Sequence, residues 1–145
     1  MAVTHTLTII KPDAFGSGKT GRILAHLEEN GFDPVAARVL HLTRTEAEAF
    51  YAVHRERPFF GSLVEFMISG PCMPMVLRRE DAVPELRRVI GATDPAEAEP
   101  GTVRALYAES KERNAIHASD SPENAEFEAT FFFPRRDWLD SARSR

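Results

Sequence analysis

The chain has 145 residues, 43% hydrophobic and 28% charged, which predicts one globular domain over 1–145 and excludes a fibre or a disordered chain. The net charge of -4 argues against a protein that grips nucleic acid along its length, and the single cysteine, Cys72, excludes an internal disulfide. No apolar run approaches the ~20 residues of a membrane span and the first residues do not read as a signal peptide, so a cytoplasmic protein is expected.

Leu7-Thr8-Ile9-Ile10 is β-branched and apolar and ends at Lys11-Pro12-Asp13, which predicts a first strand halted by proline. A helix is expected over 21–30, where Ile23, Leu24 and Leu27 share a face and Gly31 suits the C-terminal turn. Residues 34–42 predict a second strand with Val35, Ala37 and Val39 on one side. Thr43-Arg44-Thr45-Glu46 matches a capping box and opens a helix carrying Phe50, Tyr51 and Val53. Pro58-Phe59-Phe60 interrupts it, and a helix with Leu63, Phe66 and Met67 runs on to Ser69-Gly70-Pro71. Cys72 follows, and between apolar stretches it reads as a buried structural thiol. Met75-Val76-Leu77 predicts a third strand, 81–90 a helix, and 91–101 a turn-rich stretch. Ser121-Pro122 opens a capped helix, Phe131-Phe132-Phe133 reads as a last strand, and 135–145 as a basic C-terminal tail without pattern. This order predicts an α+β sandwich of the split βαβ type, with helices on one face of a mostly antiparallel sheet.

Two phosphate motifs fail on inspection. Gly16-Ser17-Gly18-Lys19-Thr20-Gly21 spells G-x-G-x-x-G and ends like a P-loop. A P-loop needs glycine where Asp13 stands, and that carboxylate would repel phosphate. A dinucleotide site needs an acidic residue about 20 positions on, where this chain has His41-Leu42-Thr43. The stretch reads as a surface turn before a helix.

The stretch from Arg113 to Glu123 is the informative one. It sets His117 among small residues just before a capped helix, leaving room for a large group to approach the ring. Glu128 on that helix could accept a proton from one ring nitrogen and leave the other as a nucleophile. Arg87, Arg104 and Arg113 occupy the same half of the chain, with Thr93 among them, and Lys11 ends the first strand. Phosphoryl transfer asks for such cations, since it consists largely of positioning and charge neutralisation. His5, His26, His41 and His54 read as structural or solvated.

Asn114-Ala115-Ile116-His117-Ala118-Ser119-Asp120 resembles N-x-x-H-G-S-D, the active-site signature of the nucleoside diphosphate kinases. Thr8-Ile9-Ile10-Lys11-Pro12-Asp13, Tyr51 with Pro58-Phe59-Phe60, Ser69-Gly70-Pro71, Gly91-Ala92-Thr93-Asp94-Pro95 and Pro100-Gly101-Thr102-Val103-Arg104 resemble the family in order and spacing. The resemblance implies a ferredoxin-like α/β sandwich, its four-stranded antiparallel sheet covered by helices. It implies that His117 accepts phosphate, with Glu128 holding its ring. Lys11 and Asn114 would lie on the sugar side, Lys11 also reaching phosphate. Tyr51, Arg87, Thr93 and Arg104 would hold phosphates, and Phe59 would stack on the base, indifferent to its identity because every base has a π-face. It further implies nucleoside di- and triphosphates as partners, Mg²⁺ carried on their phosphates without a cage of protein ligands, and a homo-oligomer. The reaction implied is reversible ping-pong transfer of the γ-phosphate, mainly from ATP, to a nucleoside diphosphate.

Some positions depart from the family pattern. Ala118 stands where glycine is usual, and a backbone with positive φ would resist it. Ala105-Leu106-Tyr107, Lys111 beside the base and Arg79 in place of a frequent glycine also differ. The main rival is a nucleotide-binding sensor of the same fold without catalysis. An RNA-binding sandwich is disfavoured by the sign of the net charge and the missing basic-aromatic signature.

Overall fold

The computed structural model describes residues 2–139. Among them, β1 (Val3–Ile10), β2 (Asp33–Ala37), β3 (Met73–Glu80) and β4 (Ile116–Ala118) form one sheet in the order β2-β3-β1-β4. Every pairing is antiparallel. With β3 between β1 and β2, this is the split βαβ arrangement that the order of elements predicts. The helices are α1 (Pro12–Gly16), α2 (Thr20–Glu29), α3 (Arg44–Phe50), α4 (Phe60–Met67), α5 (Ala82–Ile90), α6 (Val103–Tyr107) and α7 (Pro122–Phe132).

Helices cover both faces of the sheet, not one as expected. Leu7, Ile9 and Val76 pack with Phe50, Val64, Met67 and Phe132 from α3, α4 and α7. On the other face, Ile10, Met75 and Leu77 pack with Ile23, Leu27, Leu86 and Ile90 from α2 and α5. A central strand buried on both sides carries a continuous apolar run, and alternation alone cannot show which faces are covered.

Local chemistry fixes the element ends. The capping box is present, with Thr43 Oγ1 accepting from Glu46 N–H and Glu46 accepting from Thr43 N–H. The end of α2 is a Schellman turn. Gly31 (φ 87°) donates to the Glu28 carbonyl, and Phe32 donates to that of Leu27. Arg79 donates to the Asn30 carbonyl at 2.6 Å and lies 5.2 Å over the Phe32 ring, so it serves this helix end. Lys19, the false P-loop lysine, donates to the Tyr107 carbonyl and ties α6 down. Cys72 is buried and free, its thiol pushed up to about 11 by burial, in keeping with a structural role.

Three expectations change. Phe131 and Phe132 belong to α7, and no strand forms over 131–133. A helix begun by a Ser121 cap and Pro122 propagates until Pro134 approaches, and the aromatic run packs on Phe50. The fourth strand is instead Ile116–Ala118, too short for any periodicity to mark it. The second strand stops at Ala37, and a register shift between Pro34 and Ala36 breaks its alternation. Val35 is buried, whereas Ala37 and Val39 are exposed. Finally, Arg135–Asp137 forms a short 3-10 turn and Trp138 is buried against the core, while 140–145 of the expected tail lie outside the described residues.

Candidate active site

The site is built where β4 meets the end of β1. His117 pairs with Ile9, and its carbonyl accepts from Thr8 Oγ1 at 2.7 Å. That register sends its ring toward α3 and α7, between the edges of Phe50 and Tyr51 at centroid distances of 5.5 and 6.2 Å. Glu128 Oε1 lies 2.8 Å from His117 Nε2 and also accepts from Ser119 Oγ at 2.6 Å. An ionised carboxylate can only accept, so Nε2 carries the proton and Nδ1 keeps its lone pair. The ring is thereby locked in one tautomer with a nucleophilic nitrogen free.

Cations gather around the same strand. Lys11 follows β1, is buried, and donates through Nζ to Asn114 Oδ1 at 2.9 Å. Asn114 in turn donates to the Thr93 carbonyl at 3.3 Å. Arg104 on α6 is buried and donates to the carbonyls of Ile116 at 2.7 Å, Gly91 at 3.1 Å and Asn114 at 3.3 Å. Arg87 on α5 reaches the Ala118 carbonyl at 3.4 Å. Gly91 is indispensable to this packing. It sits at φ 90°, and a Cβ there would lie 2.5 Å from Thr102 Oγ1, the cap of α6.

These cations are short of counter-charge. Burial, then the charge of Arg104, pulls Lys11 down to about 8, with Asp13 partly opposing. Burial, then Arg87, pulls Arg104 down to about 10. Tyr51 is buried beside His117; burial and then Glu128 push its phenol far up. Its hydroxyl has no hydrogen-bond partner among the described residues. Such a group of donors, with a buried hydroxyl aimed at none of its neighbours, suits an anion.

Beyond the cations lies an apolar slot. Phe59, 46% exposed, lines a cavity of about 430 Å³ with Lys11, Phe66, Thr93, Lys111 and Asn114. One end offers charge and the other an aromatic face. Nine of the residues singled out from the sequence (Lys11, Tyr51, Phe59, Arg87, Thr93, Arg104, Asn114, His117 and Glu128) fall in this region. Arg113 is engaged elsewhere: it pairs with Glu109 at 3.2 Å, and its guanidinium lies 5.7 Å over the ring of Phe66 at the border of the slot. Sequence reasoning assigned no role to Ser119, Phe50 or Asp13. Ser119 lies inside the signature itself, and its spacing from Glu128 was the available signal. The concern over Ala118 disappears: the described non-glycine residues with positive φ are Asp81 and Ala115.

A family model described as nucleoside diphosphate kinase matches residues 4–138. The nucleoside diphosphate kinase of Chlorobium chlorochromatii is 59% identical over 129 residues, covering 89% of this chain and 92% of that protein. That of Nitrosomonas europaea is 58% identical, covering 92% and 95%. Among solved structures, the Aquifex aeolicus nucleoside diphosphate kinase superposes with a TM-score of 0.92 at 47% identity, covering 95% of this chain and all of that one (100%). A Halobacterium salinarum nucleoside diphosphate kinase, solved in complex with CDP, gives 0.91 at 34% identity, covering 99% and 95%. The chain belongs to the nucleoside diphosphate kinase family, whose fold is the ferredoxin-like α/β sandwich, and it is a phosphotransferase.

Proposed function

We propose that the chain moves the γ-phosphate of a nucleoside triphosphate, mainly ATP, to a nucleoside diphosphate in two half-reactions through His117. The observation that carries this is the Nε2–Glu128 hydrogen bond, which leaves Nδ1 as the nucleophile beside a cluster of cations. His117 Nδ1 attacks the γ-phosphorus in line. The N–P bond forms as the bond to the β–γ bridging oxygen breaks, and that oxygen leaves on the diphosphate. A second diphosphate reverses the step. Glu128 holds the ring and offsets the positive charge that develops on it when Nδ1 is phosphorylated.

Lys11, Arg87 and Arg104 carry donors and no lone pairs, so they fit phosphate oxygens. The Tyr51 hydroxyl would find its partner there. Asn114 and Thr93 border the sugar and phosphates, and Phe59 offers its face to the base. The donor set does not fit Mg²⁺ directly, and no three His, Cys, Asp or Glu among the described residues are grouped to hold it. The ion would enter on the nucleotide, where it supplies charge neutralisation at the phosphates. The protein is further proposed to act as a single domain in the cytoplasm and as a homo-oligomer. No helix among the described residues is long and apolar enough to cross a membrane.

Initial rates separate this reading from a non-catalytic nucleotide sensor. Varying ATP at several concentrations of dTDP should give parallel double-reciprocal lines; tight nucleotide binding with no turnover would favour the sensor. Lys11 adds a pH limb. Its site value of about 8 means that kcat/KM falls through pH 8 to 9, about tenfold per unit, as its charge is lost. A profile flat to pH 10 would contradict a role for its charge. The linked stability has the opposite slope. With its folded value below the ordinary 10.5, protonated Lys11 costs the fold on the order of 3 kcal/mol at neutral pH, and that cost disappears as pH rises from 8 to 10.5.

A further inference from the structure

We infer that Asp13 is a positioning residue, whose buried carboxylate pins a strained turn at Ala115 and so sets His117 and Lys11 relative to one another. Ala115 has φ 76°, a region that costs a side-chain-bearing residue. Ile116 N–H donates to the Asn114 carbonyl at 2.9 Å, closing a three-residue γ-turn of the positive-φ kind, which is rare. The turn stands two residues before His117, at the entry to β4.

Three bonds clasp it to the end of β1. Lys11 N–H donates to the Ala115 carbonyl at 2.9 Å, Lys11 Nζ donates to Asn114 Oδ1 at 2.9 Å, and Ala115 N–H donates to Asp13 Oδ2 at 3.0 Å. The last is a charge-assisted bond between buried groups, stronger than a neutral one, and it holds the residue that is strained. Asp13 sits in the first turn of α1. If Ala115 relaxed to negative φ, the Asn114 and Ile116 carbonyls would turn, and Arg104 is bonded to both. One carboxylate thus governs the placement of the nucleophile, the lysine and an arginine. The Asp13 carboxylate, expected only to repel phosphate, gives Oδ2 to the backbone of Ala115, while Oδ1 is buried without a hydrogen-bond partner among the described residues.

This inference rests on phosphorylation of His117. The experiment is the single-turnover rate of enzyme phosphorylation by Mg²⁺·ATP, with nucleotide affinity measured separately, for wild type, Asp13→Asn, Asp13→Ala and Asp13→Ala with Ala115→Gly. Asn retains an oxygen acceptor, and glycine tolerates positive φ without the clasp. Asp13→Ala should phosphorylate 10- to 100-fold more slowly at saturating ATP, with a weaker ATP affinity as Lys11 and Arg104 shift. Asp13→Asn should recover most of the rate, and Ala115→Gly at least fivefold of it in the Asp13→Ala background. A purely structural role would lower stability without rescue of the rate by Ala115→Gly. Equal rates in all folded variants, or loss that neither Asn nor Ala115→Gly repairs, would overturn the inference. If Asp13→Ala does not fold, the Asp13→Asn rate and its pairing with Ala115→Gly decide. No phosphorylation of the wild type would instead overturn the proposed function.

Discussion

His117→Ala should lose at least about 10⁴-fold in turnover while keeping its fold and its affinity for nucleotide. Removing the attacking atom leaves binding and electrostatics, which account for only part of an enzyme's rate. The fold survives because the ring is a half-buried guest between Phe50 and Tyr51, and β4 is held through backbone pairs to Thr8, Ile9 and Ile10. Ser119 continues to satisfy Glu128 Oε1 in the variant. Glu128→Gln is milder, about 10- to 100-fold. The amide can still accept from Nε2, but it no longer offsets the charge that forms on the ring. Steady-state rates and calorimetric nucleotide binding on both variants test this. Substantial turnover in His117→Ala would place the nucleophile elsewhere.

Arg104→Ala should damage both stability and rate. The guanidinium satisfies the carbonyls of Gly91, Asn114 and Ile116, all at the rim of the site. Hydrogen bonds to a charged donor contribute ~1.5–3 kcal/mol each. Against this stands the cost of burying the cation beside Arg87, on the order of 3 kcal/mol from its lowered ionisation. The lost bonds outweigh the relieved burial, for a net destabilisation of about 1.5–6 kcal/mol, readable by urea unfolding. Loss of a phosphate donor should also lower kcat about 10²- to 10³-fold. A variant as stable as wild type would mean that water replaces the guanidinium easily, and that the charge cost dominates.

Elements with local chemistry were legible in the sequence. Thr43-Arg44-Thr45-Glu46 and Ser121-Pro122 mark helix starts through bonds made within one turn, and both form. His117 and Glu128 were legible as a pair because a histidine among small residues, followed by a carboxylate on a capped helix, has a chemical meaning. What stayed hidden depends on distant partners. Ile116–Ala118 is a strand because Thr8–Ile10 offers its edge, not because three residues prefer extension. Phe131 and Phe132 have β-forming side chains, yet they continue a helix that a serine cap began ten residues earlier. Asp13 and Ala115 are 102 positions apart, and nothing in either segment marks their bond. The helices on the second face were hidden for a similar reason, since Leu7-Thr8-Ile9-Ile10 looks the same whether one side or both are covered.

On the proposed route every transferred phosphate passes through His117. The most direct measurement is to incubate the protein with Mg²⁺ and ATP labelled at the γ-phosphate, remove nucleotide, test the bound label for acid lability, and chase with unlabelled GDP. Acid-labile label that leaves as labelled GTP, and that is missing from His117→Ala, is the predicted result. Folded, nucleotide-binding protein that takes no label, or holds it in His117→Ala, would contradict it.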